Sequence, residues 1–217
     1  DPVLREKLTP KFELGCRRLI FSDVFYDAIQ HPNVELVTDT IECIEPAGVR
    51  TKDGRLHELD VLVTATGFHA LDYTRDMIIT GENGVNLGER WEREGAQALR
   101  SIAIAGFPNL FMLIGPHSPI GNFSLTGIAE IQIKYIMQFI RMLKKGEVKA
   151  VAAKAVAQEK YNDRIRHGFQ GTTWVTGCTS WYLDTKTNMP RMYPFTPNQF
   201  RQDMREVDLT EFELGNA

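Results

Sequence analysis

The segment between residues 109 and 145 constrains the fold most, because it predicts a buried strand, a turn and a long helix in succession. Residues 109–115 form a largely apolar run that ends in glycine, as expected of a parallel strand buried on both faces. Residues 116–122 predict a turn, and residues 123–145 carry apolar side chains at helical spacing and end in basic residues before Gly146. This order is typical of an α/β layer, in which ligands bind at the carboxyl ends of the strands.

A second buried strand is predicted for residues 60–67, where an apolar run ends in alanine, threonine and glycine. Residues 69–98 are polar and rich in glycine, so we predict loops between the two strands. Near the start of the chain, residues 22–31 carry apolar side chains at helical spacing between a Ser22 N-cap and Pro32. That pattern predicts a short helix.

Short β-rich segments at residues 34–37, 41–44 and 49–51 predict a β-meander, and the dipeptide at residues 53–54, Asp-Gly, is a strong hairpin signal. Residues 150–168 predict another helix, rich in alanine and charge. The chain after that helix is irregular and aromatic, which indicates an extension packed on the main body rather than a repeat. Residue patterns alone therefore predict an α/β domain with a possible ligand-binding edge.

Charge and composition argue against several classes of function. The net charge is −3 and the basic residues are spread along the chain, so we expect no nucleic-acid partner. No apolar run approaches the roughly 20 residues of a membrane span, so we expect no membrane partner. The five histidines lack the i, i+4 spacing of a helical metal site, and we predict no metal. Cys16, Cys43 and Cys178 lie far apart without C-x-x-C spacing, which favours reduced thiols in a cytoplasmic protein.

Four short motifs follow one another along the chain. The first is G-C-R-R at residues 15–18 with the helix that follows it, and the second is D-V-L-V-T-A-T-G-F at residues 60–68. The third combines G-F-P-N-L-F and G-P-H-S-P within residues 106–119, and the fourth is S-W-Y at residues 180–182. In this order they resemble the carboxy-terminal portion of Baeyer-Villiger and related flavin-containing monooxygenases. The resemblance covers about residues 8–205.

The resemblance implies an α/β fold: a partial doubly wound, Rossmann-like FAD-binding domain with a β-meander, and a helical and irregular carboxy-terminal extension. It implies the end of an NADPH-domain connection with its return helix at residues 1–32, the second half of the FAD-binding domain at 33–146, and the extension at 147–217. Two G-x-G-x-x-G motifs and an F-x-G-x-x-x-H fingerprint precede this region in the family, and none occurs in the 217 residues. We therefore expect a fragment whose partner is the missing amino-terminal part of the same enzyme.

The function implied by the resemblance is an FAD- and NADPH-dependent monooxygenase that inserts one oxygen of dioxygen into a ketone through a flavin C4a-peroxide. The substrate would be a small-molecule ketone or another organic compound. Two alternatives stay open: a flavin-containing monooxygenase that oxygenates nitrogen or sulfur, and a non-catalytic isolated half-domain. A pyridine nucleotide-disulfide reductase is disfavoured because the chain has no redox C-x-x-C pair.

The resemblance also implies a role for single residues. Arg18 matches the family arginine that stabilises the anionic peroxyflavin and the adduct on the ketone, a task that suits a permanently charged guanidinium. Without the resemblance, Arg18 would be interpreted as an ordinary solvated residue at the end of a loop. Thr66, Gly67 and Phe68 are expected beside FAD, with Gly67 allowing the close approach of the backbone.

Four further residues are predicted to contact the cofactors. Gly115, Pro119 and Asn122 lie in the turn before the long helix, where backbone N–H groups and the positive helix end could face the flavin, although a plain turn would look the same. Trp181 resembles the family tryptophan that contacts the nicotinamide cofactor, and the competing interpretation is a buried structural tryptophan.

Overall fold

The computed structural model describes residues 1–69, 72–121, 123–184 and 189–215. The chain divides into two compact units, of which the first comprises Asp1–Glu13 and Leu19–His69. The second comprises Leu14–Arg18 and Ala70–Ala217. These two units are defined by contacts between backbone positions. The division predicted above, after residues 32 and 146, concerns cofactor-binding modules and stays a prediction.

In the first unit, α1 (Pro2–Leu8) begins at Asp1, whose carboxylate accepts from the backbone N–H of Val3 at 2.7 Å. The helix predicted over residues 22–31 is shorter than expected: α2 spans Phe25–Ala28, after the side chain of Ser22 accepts from the Phe25 N–H at 3.1 Å. Four residues make a single turn, and isolated single turns have little stability of their own.

The predicted β-meander is confirmed as a three-stranded antiparallel sheet of β1 (Ile41–Glu45), β2 (Gly48–Thr51) and β3 (Leu56–Glu58). The Asp53-Gly54 signal lies in the β2–β3 hairpin, where Gly54 has a φ of 87° that favours glycine. Residues 34–37, predicted as a strand, form none.

Residues 60–67 were predicted as a strand buried on both faces, and this prediction is wrong for the chain as described. The segment has no regular strand, and Val61 and Val63 are 75% and 80% exposed. A buried parallel strand requires hydrogen-bonded neighbours and apolar cover on both faces. The described part of the first unit supplies neither to this segment.

Residues 109–115 in the second unit are also not a regular strand, contrary to prediction. Phe111 forms an isolated bridge with Ala103, and the N–H of Asn109 donates to Val151 O at 2.8 Å. Asn109 and Ile114 have φ values of 59° and 54°, in the left-handed region. Two such residues interrupt the extended backbone, which reduces the segment to isolated bridges.

The prediction of loops over residues 69–98 is wrong in part. A 3-10 turn spans Glu82–Gly84, and α3 spans Leu87–Glu94 with Asn86 as its N-cap. The helix buries Leu87 and Trp91 in a small apolar cluster, so tertiary packing stabilises a segment whose glycines suggested loops.

The long helix is confirmed as α4 (Leu125–Lys145), which begins at an N-cap Ser124 and ends at Gly146 in the left-handed conformation. Its buried face contains Ile128, Gln132, Tyr135 and Phe139 and forms the centre of the main core.

The helix predicted over residues 150–168 starts later than expected. Ala150–Ala153 form β4, which pairs antiparallel with β5 (Phe212–Gly215), and α5 spans Ala155–Gly168. This alanine-rich segment forms a strand rather than the first turn of the helix because β5, which is distant in sequence, supplies its hydrogen-bond partners. The last helix, α6, spans Pro197–Asp203.

The α/β class is thus confirmed as mixed helices and small sheets. Both sheets are antiparallel, and the parallel pairing found among the described residues is one isolated bridge between Ala105 and Ala153.

Candidate active site

Aromatic side chains in the loop before α6 form the centre of the candidate site in the second unit. The Tyr182 ring is buried and packs against Trp181, with ring centroids 3.9 Å apart and a 30° interplanar angle. Trp174 meets Tyr182 edge to face, with centroids 5.2 Å apart. Trp181 is 55% exposed, so one of its surfaces is held by Tyr182 while the rest is accessible. This arrangement orients an indole with little freedom to turn.

The hydroxyl of Tyr182 lies beside the turn that precedes α4. A Cβ atom added at Gly121 would lie 3.3 Å from Tyr182 Oη, and Gly121 has a φ of 99°. Glycine is required there by the backbone conformation and favoured by the close approach of the phenol. Asn122, the neighbouring residue that we predicted to contact the cofactor, lies outside the described residues.

Arg18 belongs to the second unit and is exposed. It lies close enough to Tyr182 to act on its ionisation: burial raises the pKa of the Tyr182 phenol, and the positive charge of Arg18 opposes that rise. Arg18, the predicted catalytic residue, thus belongs to the same unit as Tyr182 and the predicted cofactor residue Trp181.

The segment that carries Arg18 is fixed by a disulfide bond. Cys16 and Cys178 are bonded, with their Cα atoms 5.6 Å apart and a sequence separation of 162. The prediction of three reduced thiols is wrong for this pair and holds for Cys43, which is free and exposed. Sequence spacing could not reveal the pair, because cysteines so far apart meet only through tertiary folding.

The G-P-H-S-P turn is an interior turn. Gly115 is buried, and a Cβ atom at this position would lie 2.3 Å from Ser101 O, so close backbone packing requires glycine. Gln132 of α4 donates to Ser118 Oγ at 3.2 Å and accepts from the Ile114 N–H at 2.8 Å. Pro119 is buried as well. The side chain of Gln132 in α4 therefore fixes the turn through two hydrogen bonds. The cofactor contacts predicted for Gly115 and Pro119 stay predictions.

His117 in this turn is buried and has a φ of 62°. Burial lowers its pKa to about 4, against a hydrogen bond to the Met192 backbone that acts in the opposite direction. The side chain lines a cavity of about 90 Å³ that is also lined by the ion pair of Arg191 and Asp184. A neutral imidazole among these charges fits a structural histidine.

Thr66, Gly67 and Phe68, the third group of predicted site residues, lie in the first unit. Gly67 has a φ of 91°, and apart from its two chain neighbours no atom of the described residues lies within 4 Å of the position of a Cβ atom there. Phe68 is 99% exposed. A fully exposed phenylalanine beside an open glycine leaves backbone and ring available for a ligand.

Sequence reasoning missed two features of the site: the Tyr182 ring, which holds Trp181, and the cysteine pair. The S-W-Y motif contained the signal for the first, since two adjacent aromatic residues in an irregular loop often pack on each other. Within the described ranges, no cluster of three or more histidine, cysteine, aspartate or glutamate side chains could hold a metal ion. No helix among those ranges is long and apolar enough to cross a membrane.

Comparison with known proteins gives consistent matches over the whole chain, although no protein-family model matches it. An uncharacterized monooxygenase of Mycobacterium tuberculosis is 44% identical over 214 residues, which are 99% of this chain and 43% of that protein. A Baeyer-Villiger monooxygenase of Streptomyces coelicolor is 36% identical over 216 residues, 99% of this chain and 41% of that protein. The chain thus spans about two fifths of the length of these curated relatives.

The backbone matches solved structures of the same kind. Cyclohexanone monooxygenase from Rhodococcus sp. Phi1 bound to NADP+ superimposes with a TM-score of 0.85 at 30% identity, over 100% of this chain and 42% of that one. In both sequence and backbone, the chain is similar to monooxygenases. The chain is related, over its whole length, to the Baeyer-Villiger monooxygenases and corresponds to a portion of those proteins.

Proposed function

We propose that the whole protein containing this chain is a monooxygenase that uses FAD and NADPH to insert one oxygen atom of dioxygen into a ketone. The support comes from relatives named Baeyer-Villiger and FAD-binding monooxygenase and from a solved neighbour in complex with FAD and NADP. The observation that supports the proposal is that Arg18, Trp181 and Tyr182 belong to one compact unit, in which the charge of Arg18 acts on the pKa of the Tyr182 phenol.

The described residues fit such cofactors. Trp181 offers a half-exposed indole for stacking and one N–H donor, and Gly67 with Phe68 offers open backbone and an exposed ring. FAD and NADPH, when bound, would supply the reducing equivalents and the activation of dioxygen. The protein then has to bind, orient and shield the reactants, and these are tasks that the three residues can perform.

Arg18 supplies a fixed positive charge. Negative charge develops on oxygen when a nucleophile adds to a ketone, and a guanidinium with five donors stabilises that charge without losing a proton. The exposure of Arg18 in the described chain leaves its donors accessible to a substrate. Tyr182 fixes the plane of Trp181 from one side, so the indole meets a ligand with its orientation already set.

The test uses Arg18→Ala in the whole protein, with Arg205→Ala as a matched control because the Arg205 side chain is 81% exposed and remote in sequence. We expect the control to keep its activity. Arg18→Ala should lower kcat for a cyclic ketone by about 10²–10³-fold, the usual effect of removing one stabilising donor. Ketone oxygenation that is unchanged in Arg18→Ala would contradict the proposed role.

A rival within the same chemistry is oxygenation of a soft sulfur or nitrogen atom. That reaction does not pass through a tetrahedral oxyanion, so it should not depend on Arg18. A ketone and a sulfide are therefore compared in the same two variants. A loss confined to the ketone supports the ketone reaction, and a whole protein that oxidises the sulfide alone establishes the rival.

For the 217-residue chain by itself, we propose no oxygenation. It contains no G-x-G-x-x-G turn for a pyrophosphate, and the apolar segment 60–67 is uncovered, as expected of a strand that joins a doubly wound FAD-binding sheet only in the whole protein. In the same way, the remainder of the whole protein would complete the predicted modules, which are divided after residues 32 and 146. The chain is mixed with FAD and passed through gel filtration. Flavin absorbance near roughly 450 nm that stays with the protein would contradict this proposal.

A further inference from the structure

The disulfide bond between Cys16 and Cys178 joins the two chain segments that carry the candidate site. Arg18 is two residues after Cys16, and Trp181 is three residues after Cys178. An extended chain reaches at most about 3.6 Å per residue, so the Cα atoms of Arg18 and Trp181 stay within about 7 and 11 Å of their cysteines. The bond therefore limits how far the proposed catalytic arginine can move from the indole.

The arginine segment, Leu14–Arg18, has little buried surface. Of the five residues of Leu14–Arg18, all of which the structure describes, Cys16 is buried and the other four are exposed, with Leu14 at 76%. On the surface, Thr173 Oγ1 donates to Leu14 O at 3.3 Å. A segment with so little buried area depends on its covalent link to stay in place.

The bond is also open to reduction from one side. Cys16 is fully buried, whereas Cys178 is half-buried and follows Gly177, a residue with a φ of 93° in an exposed turn. A thiolate can approach a half-buried cysteine more readily than a buried one.

We propose that Cys16 and Cys178 are positioning residues that form a redox-sensitive tether, which holds Arg18 beside Trp181 and Tyr182 when oxidised and releases it when reduced. A dithiol reductant supplies the two electrons. One of its thiolates attacks the sulfur of Cys178, the S–S bond breaks, and Cys16 leaves as a thiolate that takes a proton. The second thiol of the reductant then closes its own disulfide and releases Cys178 as a thiol. This inference deepens the proposed function and rests on it for the consequence in catalysis.

The tether is tested first on the 217-residue chain, without any activity measurement. Denatured chain is labelled with a maleimide before and after treatment with dithiothreitol. One labelled thiol before reduction, that of Cys43, and three after it support the bond. Three labelled thiols before reduction would overturn the proposal.

Release of the arginine segment is then followed by tryptic cleavage after Arg17 and Arg18. The chain is reduced, alkylated and desalted before trypsin is added, and the fragments are identified by mass. We expect cleavage at these two sites to accelerate by about tenfold or more, because proteolysis follows the population of the open segment. The Cys16→Ser/Cys178→Ser variant should show the fast cleavage without reductant, and Cys43→Ser, the matched control, should behave as the unchanged chain. Equal cleavage rates in oxidised and reduced chains, with far-UV circular dichroism unchanged, would overturn the proposal.

The consequence in catalysis is measured on the whole protein. The tether variant should lose kcat for a ketone while sulfide oxygenation and NADPH oxidation persist, a split that general unfolding would not produce. A tether variant with full ketone activity overturns the positioning role. If neither the unchanged protein nor the variant oxygenates any substrate, the proposed function fails, and labelling and proteolysis still decide whether the tether exists.

Discussion

The stability of the chain should fall as the pH drops from 7 to 5, because His117 is buried in its neutral form. Its pKa is lowered from 6.5 to about 4, mainly by burial. Between these values the unfolded chain binds a proton that the folded chain does not, so the contribution is complete above pH 6.5 and is lost as the pH falls toward 4. A shift of this size corresponds to about 3 kcal/mol in all, of which about 2 kcal/mol is lost between pH 7 and pH 5.

The assay is urea unfolding followed by circular dichroism at both pH values, for the unchanged chain and for His117→Asn. Asparagine tolerates the left-handed backbone of this position and does not titrate in this range. The variant should lose about 2 kcal/mol less than the unchanged chain on acidification. His69→Asn, a change at an exposed histidine, should keep the full dependence. Parallel losses in the unchanged chain and in His117→Asn would refute the reasoning.

Three further substitutions test the packing around the site by the same unfolding assay at pH 7. Gly115→Ala should destabilise the fold by about 1–3 kcal/mol, since its Cβ atom would lie 2.3 Å from Ser101 O; an unchanged midpoint would contradict that packing. Gln132→Leu should cost about 1–3 kcal/mol because the Ile114 N–H loses its acceptor and Ser118 Oγ loses one of its two hydrogen bonds, and a neutral effect would mean that water reaches these groups. Arg100→Ala removes a partly buried ion pair with Glu211 at 2.7 Å and should cost about 1–3 kcal/mol, whereas a loss below about 0.5 kcal/mol would place the pair among ordinary surface pairs.

The sequence determined the elements whose stability is local. The long helix was predicted within two residues of its observed start and at its end, because Ser124, the apolar spacing and Gly146 all act within one or two turns. The β2–β3 hairpin was predicted for the same reason: Asp53-Gly54 specifies a turn without help from distant residues. The four motifs indicated the family, since their order along the chain is a property of sequence alone.

Only the tertiary structure decided which distant residues meet. β4 exists because β5 pairs with it from about 60 residues away in sequence, and a local pattern of alanines favours a helix instead. The apolar run at residues 60–67 is read as a strand from its composition, yet a strand forms only where a neighbour completes its hydrogen bonds.

The candidate site divides along the same line. The sequence motifs indicated Arg18 and Trp181 separately and gave no information on the distance between them. The structure joined their segments through Cys16 and Cys178 and placed Tyr182 against the indole. Contacts between residues more than 160 positions apart depend on the packing of the whole unit, so no local pattern of spacing or propensity could have specified them.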